Sequence, residues 1–180
     1  MRAVLDACVI FPTVLREILV GVAAAGLYEP LWSERILREW VLATGKLGPM
    51  AQMQAEGEAV VLRAKFPKAM MREQQDIERR LLLPDADDRH VLAVAIAGHA
   101  DCIVTFNAKD FPRHVLADEG IARRDPDSLL WELWSHHPGE VAEVVAGVHG
   151  EAERLSGAVL PLKALLKRAQ LPKLGKALSA

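Results

Sequence analysis

Acidic side chains stand at several points of the sequence where a predicted strand ends or a predicted helix begins. They are Asp6, Asp85, Asp87, Asp88 and Asp110. In a parallel α/β sheet, the carboxyl ends of the strands and the helix N-termini that follow them share one edge. We therefore predict that these acids meet on one rim of the protein.

Carboxylates that converge without basic neighbours repel one another, which raises their pKa values unless a cation is bound. Oxygen ligands alone select a hard ion such as Mg²⁺ or Mn²⁺. Such an ion suits the hydrolysis of phosphodiesters, because it lowers the pKa of a bound water and neutralises charge on the phosphoryl oxygens. The residue types thus predict a metal-dependent phosphodiester hydrolase.

Helical periodicity singles out one of the three aspartates before Arg89. The apolar stripe of the following helix is Val91, Leu92, Ala95 and Ile96, and Asp88 falls near its centre. We expect Asp88 to point inward, either as a helix N-cap or as a ligand for a metal ion. Asp87 lies off the stripe and is the better candidate for the cap.

The same reasoning leaves two glutamates of an earlier helix undecided. Glu34 and Glu39 lie at opposite margins of the stripe formed by Ile36, Leu37 and Trp40. The periodicity favours neither as a site residue.

Short apolar strands alternate with helical segments along the first part of the chain. The predicted strands are 2–5, 27–32, 101–105 and 121–123, and the predicted helices are 11–25, 33–46, 50–64, 68–82 and 87–98. We expect a loop around Pro112 and a further helix capped by Asp127. This alternation predicts an α/β fold with a parallel sheet. Because strands cease after Asp127, we predict an α/β domain over residues 1–128 and a helical extension over 129–180.

The charges nearly balance, with 22 Lys and Arg against 24 Asp and Glu. This balance argues against a protein that coats nucleic acid through its overall charge. Two stretches are locally basic, residues 63–80 and the tail, whose cations are Lys163, Lys167, Arg168, Lys173 and Lys176. Each is either a solvated helix face or a surface that binds phosphate.

Membrane insertion and export are not expected. The longest uncharged stretch, Ile18 to Tyr28, has eleven residues, fewer than the roughly 18 that a span requires. Asp6 interrupts the first apolar segment too early for a signal peptide. Cys8 and Cys102 are too few for a disulfide framework. We expect a cytoplasmic protein with reduced thiols.

Four segments, in this order, resemble the PIN-domain family of small metal-dependent ribonucleases, which includes many bacterial toxins. They are Val-Leu-Asp6-Ala-Cys-Val-Ile, Ser33-Glu-Arg-Ile-Leu-Arg-Glu39, Leu-Pro-Asp85-Ala-Asp-Asp88-Arg-His-Val-Leu-Ala and Ile-Val-Thr105-Phe-Asn107-Ala-Lys-Asp110-Phe. The resemblance implies a three-layer domain with a short central parallel sheet flanked by helices, plus the helical extension.

The resemblance also implies functional roles. The metal ligands and catalytic acids would be Asp6, Glu39, Asp88 and Asp110, which selects Glu39 over Glu34, with Mg²⁺ or Mn²⁺ as the cofactor. Thr105 or Asn107 would position substrate or metal-bound water. The protein would be an endoribonuclease, the toxin of a toxin–antitoxin pair, that leaves a 5′-phosphate and a 3′-hydroxyl. Its partners would be RNA and an antitoxin, and the basic stretches would contact the RNA backbone.

Other readings stay open at this stage. Ala7-Cys8 stands where the family commonly has a hydroxyl residue followed by Asn or Ser, which removes a polar contact to substrate. A non-catalytic RNA- or protein-binding module on the same fold is one alternative. A small-molecule phosphohydrolase of the aspartyl-phosphate type is another, although Cys8 stands where that class has a second Asp. The face of Leu130, Leu133 and Trp134 is expected to be buried, against the domain or in a homodimer.

Overall fold

The computed structural model describes residues 1–179. The strands are β1 Arg2–Leu5, β2 Glu29–Ser33, β3 Met70–Met71, β4 Cys102–Val104 and β5 Ala122–Arg124. The helices are α1 Ala7–Ile10, α2 Thr13–Ala24, α3 Glu34–Thr44, α4 Pro49–Lys65, α5 Gln75–Arg80, α6 Arg89–Ala97, α7 Arg113–Asp118, α8 Pro126–His136, α9 Pro138–Ser156, α10 Leu162–Arg168 and α11 Pro172–Ala177. Short 3₁₀ turns cover Gly45–Leu47 and Ala86–Asp88.

The strands form one five-stranded sheet in the order β3-β2-β1-β4-β5. The central strand β1 is parallel to both of its neighbours, with Val4 opposite Leu31 on one side and Ile103 on the other. Ala3 and Val4 are completely buried, as expected for a strand covered on both faces. The predicted α/β class is confirmed, as a parallel sheet flanked by helices with further helices at the C-terminal end.

Helix α3 begins directly after β2, with no loop between them. Ser33 ends the strand and caps the helix, since its hydroxyl accepts a hydrogen bond of 3.2 Å from the Ile36 amide. Ile36, Leu37 and Trp40 are fully buried. The predicted cap and the predicted apolar stripe of this helix are both confirmed.

The chain separates into two compact units. The first contains residues 1–11 and 29–123, and therefore every strand residue except Arg124. The second contains residues 12–28 and the described residues from 124 onward. Within the second unit, α2 packs closely on α9 at Gly21. A Cβ atom at this position would lie only 2.5 Å from Val144 Cγ1, so glycine permits the close approach.

Several predicted elements differ from the observed ones. The helix predicted over 11–25 is α2, Thr13–Ala24, which begins after Pro12 because Pro12 is extended, and the short helix α1 that precedes it was not predicted. The helix predicted over 68–82 is the short strand β3 followed by α5. The loop predicted around Pro112 contains α7.

The predicted cap of α8 is also wrong. Asp125, not Asp127, caps this helix by accepting a hydrogen bond from the Ser128 amide. Asp127 is buried and accepts from the amides of Lys173 and Leu174 at 2.9 and 3.0 Å, at the start of α11. Leu130 and Leu133 are buried as expected, Trp134 is half-buried, and Trp131 is 45% exposed.

None of the helices within residues 1–179 combines the length and the apolar character that a membrane span would need.

Candidate active site

Asp6 lies where β1 ends, and its carboxylate is held from the neighbouring strand β4. It occupies the N-cap position of α1 without capping it through its side chain. Its Oδ2 instead accepts hydrogen bonds from Thr105 Oγ1 at 2.7 Å and from Cys8 Sγ at 3.1 Å. The side chain of Asp6 is buried, and these two hydrogen bonds fix its orientation.

Thr105 connects Asp6 to the turn after β4. It is buried, and its hydroxyl both donates to Asp6 and accepts from the Asn107 amide at 2.8 Å. The Asn107 side-chain amide in turn lies 3.4 Å from Asp88 Oδ2, to which it donates. These contacts link the ends of β1 and β4 to the residue that precedes α6.

Three carboxylates converge in the first unit, those of Asp85, Asp88 and Asp110. One oxygen of each lies within 4.8 Å of the others. Asp85 precedes the 3₁₀ turn and Asp88 is its last residue, and the Asp87 amide stabilises the turn by donating to Asp85 Oδ1 at 2.9 Å. Asp110 belongs to the turn after β4, where Arg123 Nη1 donates to the carbonyls of Ala108 and Phe111.

The contacts of Asp88 bear on the first of its two predicted roles, that of a helix cap. It stands at the N-cap position of α6, yet its side chain makes no capping hydrogen bond. Asp85 is the residue that caps the preceding turn. Capping therefore does not explain why a carboxylate lies at position 88.

The electrostatics of Asp88 reflect its crowded surroundings. Burial raises the pKa of its carboxyl to about 6, and the negative charges of Asp6, Asp85 and Asp110 contribute to the rise, with His90 opposing it. No Lys or Arg within residues 1–179 forms an ion pair with Asp85, Asp88 or Asp110. The cluster thus carries uncompensated negative charge.

Cys8 lies against this site as a protonated thiol. Burial and the adjacent Asp6 raise the pKa of Cys8 to about 12. Its sulfur donates to Asp6 and accepts from the Phe106 amide at 3.3 Å. The thiol therefore acts as a hydrogen-bonding group, in the place of the polar residue that the family resemblance led us to expect.

Glu39 is held by two basic groups. Its Oε1 lies 3.2 Å from Arg35 Nε and 3.0 Å from Nε2 of the buried His90. The contact with His90 lacks hydrogen-bond alignment. Neither nitrogen of the His90 ring therefore has a hydrogen-bond partner among the described residues. Burial raises the pKa of Glu39, but His90 and then Arg35 outweigh burial and hold it below its ordinary value.

The predicted site residues therefore have different surroundings. Asp88 and Asp110 lie in the three-carboxylate cluster, which also includes Asp85, named at the outset as a rim acid but absent from the family-derived set. Asp6 lies close enough to influence the Asp88 charge. Glu39 is bound by Arg35 and His90, whereas the exposed Glu34 pairs with Arg63 at 2.5 Å.

Periodicity had no signal for the contact between His90 and Glu39. All six residues from His90 to Ala95 are buried, so α6 has no solvent face from which an inward histidine could be distinguished. The sequence also gave no indication that Arg35 belongs to the site. Its role follows from its three contacts in the structure, with Glu39, Glu78 and the Asp87 carbonyl.

The donor chemistry of the cluster fits a divalent cation. The cluster offers carboxylate oxygens only, which hard ions prefer, and the raised pKa of Asp88 indicates repulsion that a cation would relieve. The three acids could therefore hold a metal ion.

Comparison with known proteins places the chain in a family. The model described as the PIN domain matches residues 2–109, which is more than half of the chain and ends one residue before Asp110. No curated protein and no solved structure matches the chain. PIN domains are generally metal-dependent nucleases, in agreement with the acidic cluster. On the family match, the parallel sheet and these carboxylates, the chain belongs to the PIN-domain family.

Proposed function

We propose that this protein is an endoribonuclease that depends on Mg²⁺ or Mn²⁺. The observation that carries the proposal is the convergence of Asp85, Asp88 and Asp110 within 4.8 Å of one another without a basic partner. Asp6 and Glu39 complete the proposed set of acids that bind or surround the metal. RNA as the substrate, rather than another phosphodiester, rests on the family to which the chain belongs.

The chain's own residues would prepare the site for the reaction. Thr105 fixes the Asp6 carboxylate, and Asn107 fixes Asp88 through its side-chain amide. Arg35 and His90 keep Glu39 ionised and in place. When bound, a divalent ion would neutralise charge on the phosphoryl group and lower the pKa of water.

We further propose the biological setting implied by the family resemblance. The protein would act in the cytoplasm as the toxin of a toxin–antitoxin pair, inhibited by an antitoxin protein, and a homodimer is the oligomer to test first. Residues 1–128 would form the nuclease domain and residues 129–180 its helical extension. A co-expression test with the product of an adjacent reading frame, scored by growth, examines the toxin assignment.

The enzymatic proposal is tested by cleavage of a defined RNA with Mg²⁺ or Mn²⁺, with and without EDTA. We expect the wild type to produce 5′-phosphate and 3′-hydroxyl ends only when the metal is present. Asp88→Asn should lower the rate by about a hundredfold or more, because it removes a negative ligand from a site that needs several.

Asp118→Asn is the matched control, because Asp118 is an exposed acid of the same unit, outside the cluster. It should cleave as the wild type does. Cleavage that survives EDTA, or a folded Asp88→Asn protein with full activity, would contradict the metal-dependent mechanism. A wild type that binds RNA but never cleaves it would favour the non-catalytic module.

A further inference from the structure

The tail helices α10 and α11 present a row of cations on the second unit. Their inner faces are buried through Leu165, Leu166 and Leu174. Four basic residues on their outer faces are exposed and define what we name the tail face: Lys163, Lys167, Arg168 and Lys176. Lys163 and Lys167 are four residues apart and therefore lie on the same side of α10.

The scaffold beneath the tail face is well fixed. The buried carboxylate of Asp127 caps the N-terminus of α11 through the Lys173 and Leu174 amides. A Cβ atom on Gly175 would lie 3.3 Å from Leu166 Cβ, so glycine lets α11 approach α10 closely. The cations are thus carried by packed helices of defined conformation.

The tail face lacks countercharge. None of its four cations has an ion-pair partner among the side chains of residues 1–179. Three acids of the second unit are engaged elsewhere, Glu132 by Arg124, Glu151 by Arg154 and Glu153 by His149 and the Leu160 amide.

The other basic stretch, residues 63–80, is different in this respect. Arg63 pairs with Glu34, Arg79 with Asp76 and Arg80 with Glu119. Three of its six cations are therefore compensated within the first unit, whereas all four cations of the tail face lack an ion-pair partner among the described residues. Of the two basic stretches, the tail is the better surface for a polyanion.

Arg168 adds a feature that a bare lysine patch would lack. It borders a cavity of about 320 Å³ whose other lining residues include Pro12, Val14, Leu165 and Ala169. An arginine suits single-stranded RNA, because its guanidinium can pair with a phosphate and can also stack on an unpaired base.

We propose that the tail face of Lys163, Lys167, Arg168 and Lys176 is a binding surface for single-stranded RNA. The inference rests on the proposed function for its choice of polyanion, and it gives the C-terminal helices a role in retaining substrate. The surface contributes affinity through the phosphate backbone and takes no part in the chemical step.

The test measures the affinity of the full chain for a fluorescent single-stranded RNA by anisotropy, in EDTA so that no cleavage occurs, over a series of salt concentrations. The tail-face variant combines Lys163→Gln, Lys167→Gln, Arg168→Gln and Lys176→Gln. We expect its affinity to fall at least about tenfold at low salt, and its salt slope by up to about 3, since each phosphate contact contributes roughly 0.7 on single strands.

The matched control combines Arg63→Gln, Arg79→Gln, Arg80→Gln and Arg154→Gln, whose arginines are ion-paired. It loses the same number of positive charges and should bind within about threefold of the wild type. A charge-retaining variant, Lys163→Arg, Lys167→Arg and Lys176→Arg, should bind RNA as the wild type does.

Cleavage of a small chromogenic phosphodiester, which has no RNA backbone for the tail face to bind, separates this inference from the proposed function. The tail-face variant should cleave it at the wild-type rate. Undiminished RNA affinity in that variant, or an equal loss in the control, overturns the RNA surface. A wild type that cleaves neither RNA nor the small substrate, while the tail-face variant still loses RNA affinity, overturns only the proposed function. Loss of binding to an acidic protein, with RNA affinity intact, assigns the face to a protein partner instead.

Discussion

At the scale of single residues, Thr105 shows how one hydroxyl orders two parts of the site. It donates to Asp6 and accepts from the Asn107 amide, and it is buried. We therefore expect the site to require a hydroxyl at this position. The roles assigned to Thr105 and Asn107 from the sequence can be tested separately from the metal ligands.

Replacing Thr105 with Val should lower RNA cleavage at least about tenfold, because Asp6 loses its donor and the Asn107 amide loses its acceptor. The unfolding free energy should fall by about 1–2 kcal/mol, the usual result of leaving a buried polar group unpaired. Thr105→Ser keeps the hydroxyl and should retain most of the activity. Chemical denaturation and initial cleavage rates measure both effects, and equal activity of the Val and Ser variants would remove Thr105 from the site.

Asp88 should make the metal-free protein less stable as the pH rises. The pKa of its carboxyl is about 6 in the folded protein and 3.8 ordinarily, so the folded state binds the proton more tightly between these values. The unfolding free energy then falls as the pH increases through this window. Because the side chain is partly exposed, we expect an effect of about 1 kcal/mol.

Asp88→Asn removes this penalty and should therefore stabilise the metal-free protein at pH 7.5 but not at pH 4. Melting curves in EDTA at both values measure the difference. Asp118→Asn supplies the control for loss of a carboxylate. A variant that is equally stabilised at both values would show that charge repulsion at Asp88 is not the cause.

At the scale of elements, Arg35 connects parts of the first unit that periodicity treats as independent. From α3 it donates to Glu39 of the same helix, to Glu78 of α5 and to the Asp87 carbonyl in the 3₁₀ turn. Asp85 and Asp88 flank that carbonyl. Arg35 thus acts on the cluster through the turn and is a positioning residue.

Removing Arg35 should have two opposing effects on metal affinity, and a binding measurement shows which of them is larger. Loss of a nearby positive charge alone would tighten the binding of a divalent cation, whereas loss of the positioning contacts would weaken it. We expect Arg35→Ala to weaken Mn²⁺ binding by about tenfold or more in calorimetric titration, as removal of groups that orient metal ligands commonly does.

The control for this experiment is Arg38→Ala, which removes an exposed arginine of the same helix. It should leave Mn²⁺ affinity unchanged or slightly higher. Arg35→Lys keeps the charge but cannot make all three contacts, so its affinity should lie between those of the wild type and Arg35→Ala. Tighter binding by Arg35→Ala would show that only the charge of Arg35 acts on the site.

The elements also show what could be predicted from the sequence. β1 and α3 were predicted well, because a short buried strand and a Ser-capped amphipathic helix leave local signals, the apolar run 2–5 and the pairing of Ser33 with the stripe of Ile36 and Leu37. The short helix α1 was missed because its four residues, Ala7–Ile10, are too few to show a helical period.

Contacts between elements left no such signal. The burial of six consecutive residues of α6 hid the contact of His90 with Glu39. Asp85 was predicted among the rim acids, but no local signal indicated that it joins Asp88 and Asp110 in the three-carboxylate cluster. The identification of Glu39 over Glu34 came from resemblance rather than from periodicity. In each case the missing information was the position of one element against another.

At the scale of the whole molecule, a net charge of −2 conceals a separation of charge along the chain. Uncompensated acids gather in the first unit, in the cluster of Asp85, Asp88 and Asp110. Uncompensated cations gather on the tail face of the second unit. Such a distribution attracts a metal ion to the acidic cluster and a polyanion to the tail face. Substitutions in one of these two regions should therefore change the binding of only one of the two ligands.

The final prediction uses thermal stability to test that independence without measuring activity. Mn²⁺ at about a hundred times its Kd should stabilise the wild type by about 2.7 kcal/mol, because it binds the folded state alone, and the melting temperature should rise by several degrees. The rise should shrink below pH 6, where Asp88 is protonated. Asp88→Asn should lose most of it, while the tail-face variant, whose changes spare the cluster, should show the full rise. Differential scanning fluorimetry at pH 5 and pH 7.5 measures all three proteins, and an equal rise in wild type and Asp88→Asn would place the bound ion away from the three carboxylates.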